Sequence, residues 1–144
     1  MNIVQLPSSY VTNIAETMIG IPFKHLGRNA EEGLDCWGMA LEFYKRLGID
    51  LNCSVTFYDE DWWKVDDLME PKNCLGFFSV EFPICGDLAC MCLNSSSVPN
   101  HVAIVLNKTY LLNTAKNIGI HKLRFSLASN LIISLYRYNN LNVI

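Results

Sequence analysis

The sequence predicts one α+β domain over residues 1–144, and three observations carry that reading. The chain has 144 residues, the size of a single ordinary domain. Its apolar residues make up 51% of the total and fall in short runs, enough to bury a core without covalent staples. Helical periodicity fills the first half and two-residue alternation the second. That order predicts a meander of antiparallel strands with the helices packed on one face.

The elements follow in turn. SSYVTNIAETMIG reads as a helix, with Ser8 or Ser9 as N-cap and Gly20 as terminator. IPFKHLGRNAEEGL is rich in turn residues and reads as a loop. After Asp35, the residues Ala40, Phe43, Tyr44 and Leu47 recur at helical spacing until Gly48 stops them. DEDWWKVDDLME predicts a further helix with an acidic first turn, ended by Pro71. Trp62 and Trp63 are adjacent, so only one of them can face the core. Then GDLACMCL, HVAIVLN, TYLLNTA, GIHKLRF and LIISLYRY alternate as strands, with a tight turn expected near Asn107 and Lys108.

Several functions are disfavoured at this level. A net charge of −3 with no basic run disfavours nucleic acid and anionic membrane surfaces as partners. No apolar run reaches the roughly 20 residues of a membrane span. The N-terminus MNIVQLPSSYV has neither a basic region nor a continuous apolar core, so the chain is expected to be made in the cytoplasm without a signal peptide. The six cysteines lack a disulfide framework and are expected to be reduced. Cys85, Cys90, Cys92 and His101 invite a zinc reading, but their spacing matches no common finger or ribbon. Cys90 and Cys92 read instead as small core residues on one strand face, and no metal or cofactor is expected.

Cys36 is different from the other thiols. Asp35 is a natural N-cap, which puts Cys36 in the first helical turn. Free amides and the positive end of the helix dipole favour an anion there. A thiolate is the nucleophilic form of cysteine, and this placement is expected to lower its pKa. The same amides can receive the oxyanion of a tetrahedral intermediate. Gly38 is expected to keep the surface beside the sulfur low, while Trp37 adds bulk.

A base is then needed. His25 sits in a loop with Lys24 and Arg28 nearby, a cationic setting that does not suit one. His121 alternates with Lys122 on a strand and reads as a solvated surface residue. His101 opens the strand HVAIVL and is the best candidate. Asn113, in YLLNTAK, is the candidate to orient the imidazole. In a hairpin turning at Asn107–Lys108 it falls roughly opposite His101, and cross-strand partners lie within about 5.5 Å.

Together, GIPFKHLGRNAEEGLDCWGMALEFYKRLGIDL, CGDLACM, HVAIVL and LLNTAKNIGI resemble the NlpC-type family of papain-like cell-wall cysteine peptidases. Within it, the likeness is to the phage-tail and prophage branch, and it spans about Gly20 to Ile120. The resemblance implies a papain-like α+β domain, with the cysteine helix packed on a C-terminal antiparallel sheet. It implies hydrolysis of amide bonds in peptidoglycan stem peptides. The family nucleophile maps onto Cys36, its base onto His101 and its third polar residue onto Asn113. That third residue is often histidine; asparagine can fix a tautomer but brings no charge. Trp37 stands where much of the family has serine. Arg28 and Trp37 are expected as substrate contacts, Arg28 at a stem-peptide carboxylate. A chain with neither leader nor wall-binding module is expected to reach the wall through a phage particle, lysis or a secretion machine, whose components are possible partners. The alternatives are a toxin-like deamidase acting on protein side-chain amides and a non-catalytic tail component of the same fold.

Overall fold

The computed structural model describes residues 3–51, 76–95 and 99–144; the helix expected after Asp59, with Trp62 and Trp63, lies outside the described residues, as do Cys53 and Cys74. In chain order the elements are β1 (Val4–Leu6), α1 (Ser8–Glu16), β2 (Arg28–Asn29), β3 (Gly33–Leu34), α2 (Cys36–Arg46), β4 (Phe77–Val80), β5 (Leu88–Met91) and β6 (His101–Val105). There follow β7 (Tyr110–Ala115), β8 (Gly119–Arg124), α3 (Phe125–Ala128), a 3-10 turn at Ser129–Leu131, β9 (Ile132–Tyr138) and β10 (Leu141–Val143). Among the described residues, six strands form an antiparallel sheet in the order β4-β9-β5-β6-β7-β8. The α+β class expected from the sequence is the one the structure has.

Alternation along the strands divides the core in two. Leu88, Cys90, Val102, Ile104, Leu112 and Ile120 face α1 and α2, packing with Val11, Ala15, Met39, Ala40, Phe43 and Tyr44. Ala89, Met91, Ala103, Val105 and Leu111 face the other way, against Ala128 of α3. The expectation of helices on one face therefore holds for α1 and α2 but not for the short α3. Each large side chain so buried contributes roughly 1.5–3 kcal/mol of transfer free energy.

Two local corrections concern caps and ends. Ser8 and Ser9 do not cap α1; Pro7 holds that position without a side-chain bond. The reason lies in the chain ends, which pair as parallel strands β1 and β10. The Ser8 amide donates to the Ile144 carbonyl at 2.8 Å, so Ser8 already stands inside the helix as its first residue and one of the orphan amides of the helix start is satisfied by the other chain end. Cys92 falls beyond the end of β5, past a register shift between Cys90 and Met91, and is half-buried. Cys90 alone of that pair packs into the core.

Tyr44 ties α2 to the sheet. Its hydroxyl donates to the Gly86 carbonyl at 2.7 Å, and its ring meets Phe43 and Phe77 edge-on with centroids 5.1 and 5.8 Å away. The adjoining Asp87 is buried and accepts both Nε and Nη2 of Arg137, at 2.9 and 2.8 Å, and the Ile84 amide at 2.8 Å. That carboxylate holds the Arg137 guanidinium above its ordinary pKa, through the hydrogen bond first and charge second. The Gly-Asp-Leu stretch is thus the anchor that fixes where α2 lies over β5 and β6.

Candidate active site

The start of α2 is built as its sequence requires. Asp35 is the N-cap, and its Oδ1 accepts from the Gly38 amide at 2.7 Å. The same oxygen accepts Arg28 Nη1 at 2.7 Å, and that nitrogen also donates to the Gly27 carbonyl at 2.8 Å. Arg28 begins β2, which forms a short hairpin with β3 inside the stretch expected to be loop. The hairpin straps the N-terminus of α2. Arg28, expected at a substrate carboxylate, has this arm committed to the cap, with its side chain 26% exposed.

Gly38 does not lower a surface beside the sulfur. A Cβ there would collide with the Gly27 carbonyl, so the glycine lets the strap close on the helix. Gly38→Ala is expected to cost about 2–3 kcal/mol through overpacking and to lower Tm by roughly 6–10 °C, read by thermal unfolding followed by circular dichroism. An unchanged Tm would remove the strap from the account of the site.

Trp37, expected at the groove, is 1% exposed and packs into the core. A helix residue beside Cys36 cannot share its direction, and here that direction is inward. Its role as a direct substrate contact is therefore corrected to packing.

Cys36, His101 and Asn113 are 5%, 9% and 8% exposed. His101 opens β6 and its Nε2 lies 2.6 Å from Asn113 Oδ1. The pair is not directly cross-strand. Ile104 pairs with Leu112 and Val105 with Leu111, so by continuation Asn113 belongs opposite Ala103, a diagonal two residues from His101. The expected two-residue turn is one residue longer: Asn107 Oδ1 accepts the Thr109 and Tyr110 amides, and Leu106 and Asn107 donate to the Tyr110 carbonyl. Diagonal neighbours share a face, so a long side chain still reaches.

The recorded ladder between β6 and β7 covers only those two pairs. The Val105 amide donates to Asp87, towards β5, so by alternation the amide of Val102 points towards β7. There it meets the Cys36 sulfur. The thiol thus comes from the α2 side to the strand that carries His101. By alternation with Ala103 and Val105, the imidazole leaves on the opposite face and reaches across to Asn113.

The charges correct one expectation. Burial pushes the Cys36 thiol up to about 12; the Asp35 carboxylate adds to the rise, while the Val102 amide, Arg28 and the Trp37 amide oppose it. A helix terminus is worth at most about 2 kcal/mol, or roughly 1.5 pKa units, and full burial outweighs it. His101 moves the other way. Burial holds it below its ordinary value, with His121 adding to the fall, while the Asn113 bond and Asp35 work against it. The resting pair is a neutral thiol and a neutral imidazole, in place of the expected thiolate. Because Asn113 Oδ1 only accepts, the hydrogen sits on Nε2 and Nδ1 keeps a lone pair.

The remaining candidates lie elsewhere. His25 is exposed in the strap loop. Among the described residues, no three His, Cys, Asp or Glu side chains converge as a metal site. A largely apolar cavity of about 580 Å³, lined in part by Ser8, Cys85, Val105, Lys108 and Phe125, opens at the far end of β6. That end is about 13 Å of strand from His101, and the cavity contains none of the three residues. His121 was misread. It is half-buried, pairs directly across from Asn113, and its ring Nδ1 lies 2.8 Å from the Gly119 carbonyl. Counting the register through the β7–β8 hairpin would have found it.

This arrangement of helices and sheet recurs in solved structures. The NlpC/p60 domain of the peptidoglycan hydrolase SagA matches with a TM-score of 0.61 at 17% identity, covering 92% of this chain and 99% of that one. A NlpC/p60 family protein from Bacillus cereus matches at 0.66 and 16%, covering 94% of this chain and 42% of its own. The chain has the NlpC/p60 fold. RipD from Mycobacterium tuberculosis, described as a non-catalytic NlpC/p60 domain protein adapted to peptidoglycan binding, matches at 0.53 and 18%, covering 90% and 95%. No protein-family model matches the chain, and no curated protein matches it. The NlpC/p60 fold thus comes with both hydrolytic and non-catalytic examples, and the choice between them falls to the site.

Proposed function

We propose that the chain is a cysteine hydrolase that cleaves amide bonds in peptidoglycan stem peptides, with Cys36 as nucleophile, His101 as general base and acid, and Asn113 as orienter. The observation that carries this reading is the 2.6 Å approach of His101 Nε2 to Asn113 Oδ1, on the strand whose next amide meets the Cys36 sulfur. That bond selects the tautomer a base needs. The fold of a peptidoglycan hydrolase supports the substrate class.

The chemistry follows from the neutral pair. As Cys36 Sγ attacks the carbonyl carbon, its proton passes to His101 Nδ1. The amide of Cys36, at the helix start, donates to the developing oxyanion. The tetrahedral intermediate breaks its C–N bond, and His101 returns the proton to the leaving amine. Water, deprotonated by His101, then attacks the thioester and releases the acid and the free thiol. Asn113 holds the ring throughout, and Arg28 fixes Asp35 and hence the first turn. Such an enzyme acts at the cell wall.

The test is incubation with defined stem peptides and mass analysis of the products. A gain of one water with two peptide fragments is expected. Deamidation of glutamine in a protein substrate, with stem peptides intact, would replace this reading with the side-chain amidase. A second reading has its own support: the thiol is buried and neutral, and a protein of this fold is described as non-catalytic. Binding of stem peptide without any product would establish it.

A further inference from the structure

We propose that Arg28 is a positioning residue that acts by charge: seated on the first turn of α2, its guanidinium offsets the buried Asp35 carboxylate at the Cys36 sulfur and leaves the pull of that carboxylate on the His101 ring intact. The inference deepens the hydrolase reading and rests on it for turnover, but not for the reactivity of the thiol.

Three observations carry it. First, the cap itself needs no charge. Asparagine and serine cap a helix as well as aspartate does, yet the N-cap here is a carboxylate whose side chain is 4% exposed. A carboxylate so buried needs a cation beside it. Arg28 Nη1 supplies one at 2.7 Å, on the very oxygen that accepts the Gly38 amide. Second, the cation is held in place. The same Nη1 donates to the Gly27 carbonyl at 2.8 Å, and a Cβ at position 38 would lie 3.3 Å from it. The guanidinium end therefore lies against the helical turn that begins at Cys36. Third, the two charges differ in reach. Asp35 acts on both reacting groups: it opposes an anion at Cys36 and favours a cation at His101. Arg28 favours the anion at Cys36 and is not among the groups that shift His101. Together they favour passage of the proton from the sulfur to the imidazole, the step the mechanism asks for.

The surrounding charges leave this role to the pair. In the strap, Lys24 and Glu32 bond each other at 2.6 Å with side chains 52% and 63% exposed, and His25 and Glu31 are exposed, so solvent screens them. On α2 the next charges are Glu42, Lys45 and Arg46, more than a turn beyond Cys36, and Arg46 pairs with Glu42 at 2.7 Å. Residues 110–115 of β7 carry no acid or base stronger than Tyr110. On β8, His121 acts on His101 and opposes its protonation, while Lys122 pairs with Glu16 of α1 at 2.7 Å. Without Arg28, the Asp35 charge would stand uncompensated at the sulfur and at the oxyanion position, against the helix-start amides that favour an anion there.

The test uses the full chain as wild type, Arg28→Gln, Arg28→Lys, Asp35→Asn and the double variant Arg28→Gln/Asp35→Asn. Alkylation of Cys36 by iodoacetamide at pH 9, read by mass analysis of the peptide that carries it, reports the thiolate fraction whether or not substrate is turned over. In Arg28→Gln the rate is expected to fall about tenfold, the effect of one pKa unit, while the His101 midpoint, followed by imidazole NMR, stays where it is. A loosened strap would move both. Arg28→Lys keeps the charge and should recover most of the rate. Asp35→Asn still caps the helix; its rate should rise about tenfold and its His101 midpoint should fall. The double variant has no anion left to offset and should alkylate at least as fast as wild type. In turnover, kcat of Arg28→Gln should fall about tenfold with KM unchanged. A wild-type alkylation rate in Arg28→Gln, or a double variant as slow as Arg28→Gln, overturns the proposal. Should Arg28→Gln fail to fold, a wild-type rate in Asp35→Asn overturns it in the same way. Absence of turnover in wild type, with the alkylation rates as expected, overturns the hydrolase reading and leaves the charge role standing.

Discussion

Cys36→Ala is expected to abolish stem-peptide cleavage, a loss on the order of 10³-fold or more, since neither His101 nor Asn113 replaces the thiol as attacking nucleophile. The cost in stability is expected to be small but measurable. The sulfur meets the Val102 amide where β6 and β7 part. Its removal leaves a small void and a buried donor without a partner, together about 1–3 kcal/mol. Cys36→Ser separates the two roles. The hydroxyl can still accept from Val102 and recovers part of the stability, yet it is a far weaker nucleophile and recovers little turnover. Wild-type cleavage rates in the alanine variant would end the assignment of Cys36, whatever the state of the fold.

The parts of this site that were legible in the sequence are those fixed by local rules. Asp35 followed by helical spacing from Ala40 to Leu47 defines α2 without help from the rest of the chain. The alternation of HVAIVL and YLLNTA defines β6 and β7. Features set by distant partners were not legible. β1 and β10 are three residues each and pair only because the chain ends meet. The strap depends on Gly27 and Gly38 coming together across a loop. His121 alternates as a surface residue does, and its place beside Asn113 appears only once the β7–β8 register is known. The thiol's protonation is not legible in the sequence for a similar reason. A helix start is visible in sequence, whereas the burial that outweighs it comes from β6, more than a helix length away in the chain.

That burial has a second large consequence. At pH 7, Cys36 is expected to react with iodoacetamide about 10³-fold more slowly than an exposed cysteine. Its pKa moves from 9.0 to about 12, and each unit is a factor of ten in thiolate. The rate should climb tenfold per pH unit between 9 and 12, where an exposed thiol has already levelled off. Linkage gives the stability counterpart. The folded pKa lies above the unfolded one, so the fold favours the protonated thiol: stability from this group is complete below pH 9 and is lost as pH rises towards 12, up to about 4 kcal/mol. Cys36→Ala should lack that alkaline loss, and the difference between the two unfolding curves isolates it from Tyr44 and Cys85, whose pKa values burial also raises. His101 acts at the other end. Its folded pKa lies below 6.5, so its contribution is present above pH 6.5 and is lost as pH falls below it. A site so constituted holds its proton on sulfur until the substrate carbonyl is in place and transfers it during attack. Alkylation at pH 7 faster than that of the exposed thiol would instead show a thiolate–imidazolium pair formed in advance, and the order of events in the proposed mechanism would have to be reversed.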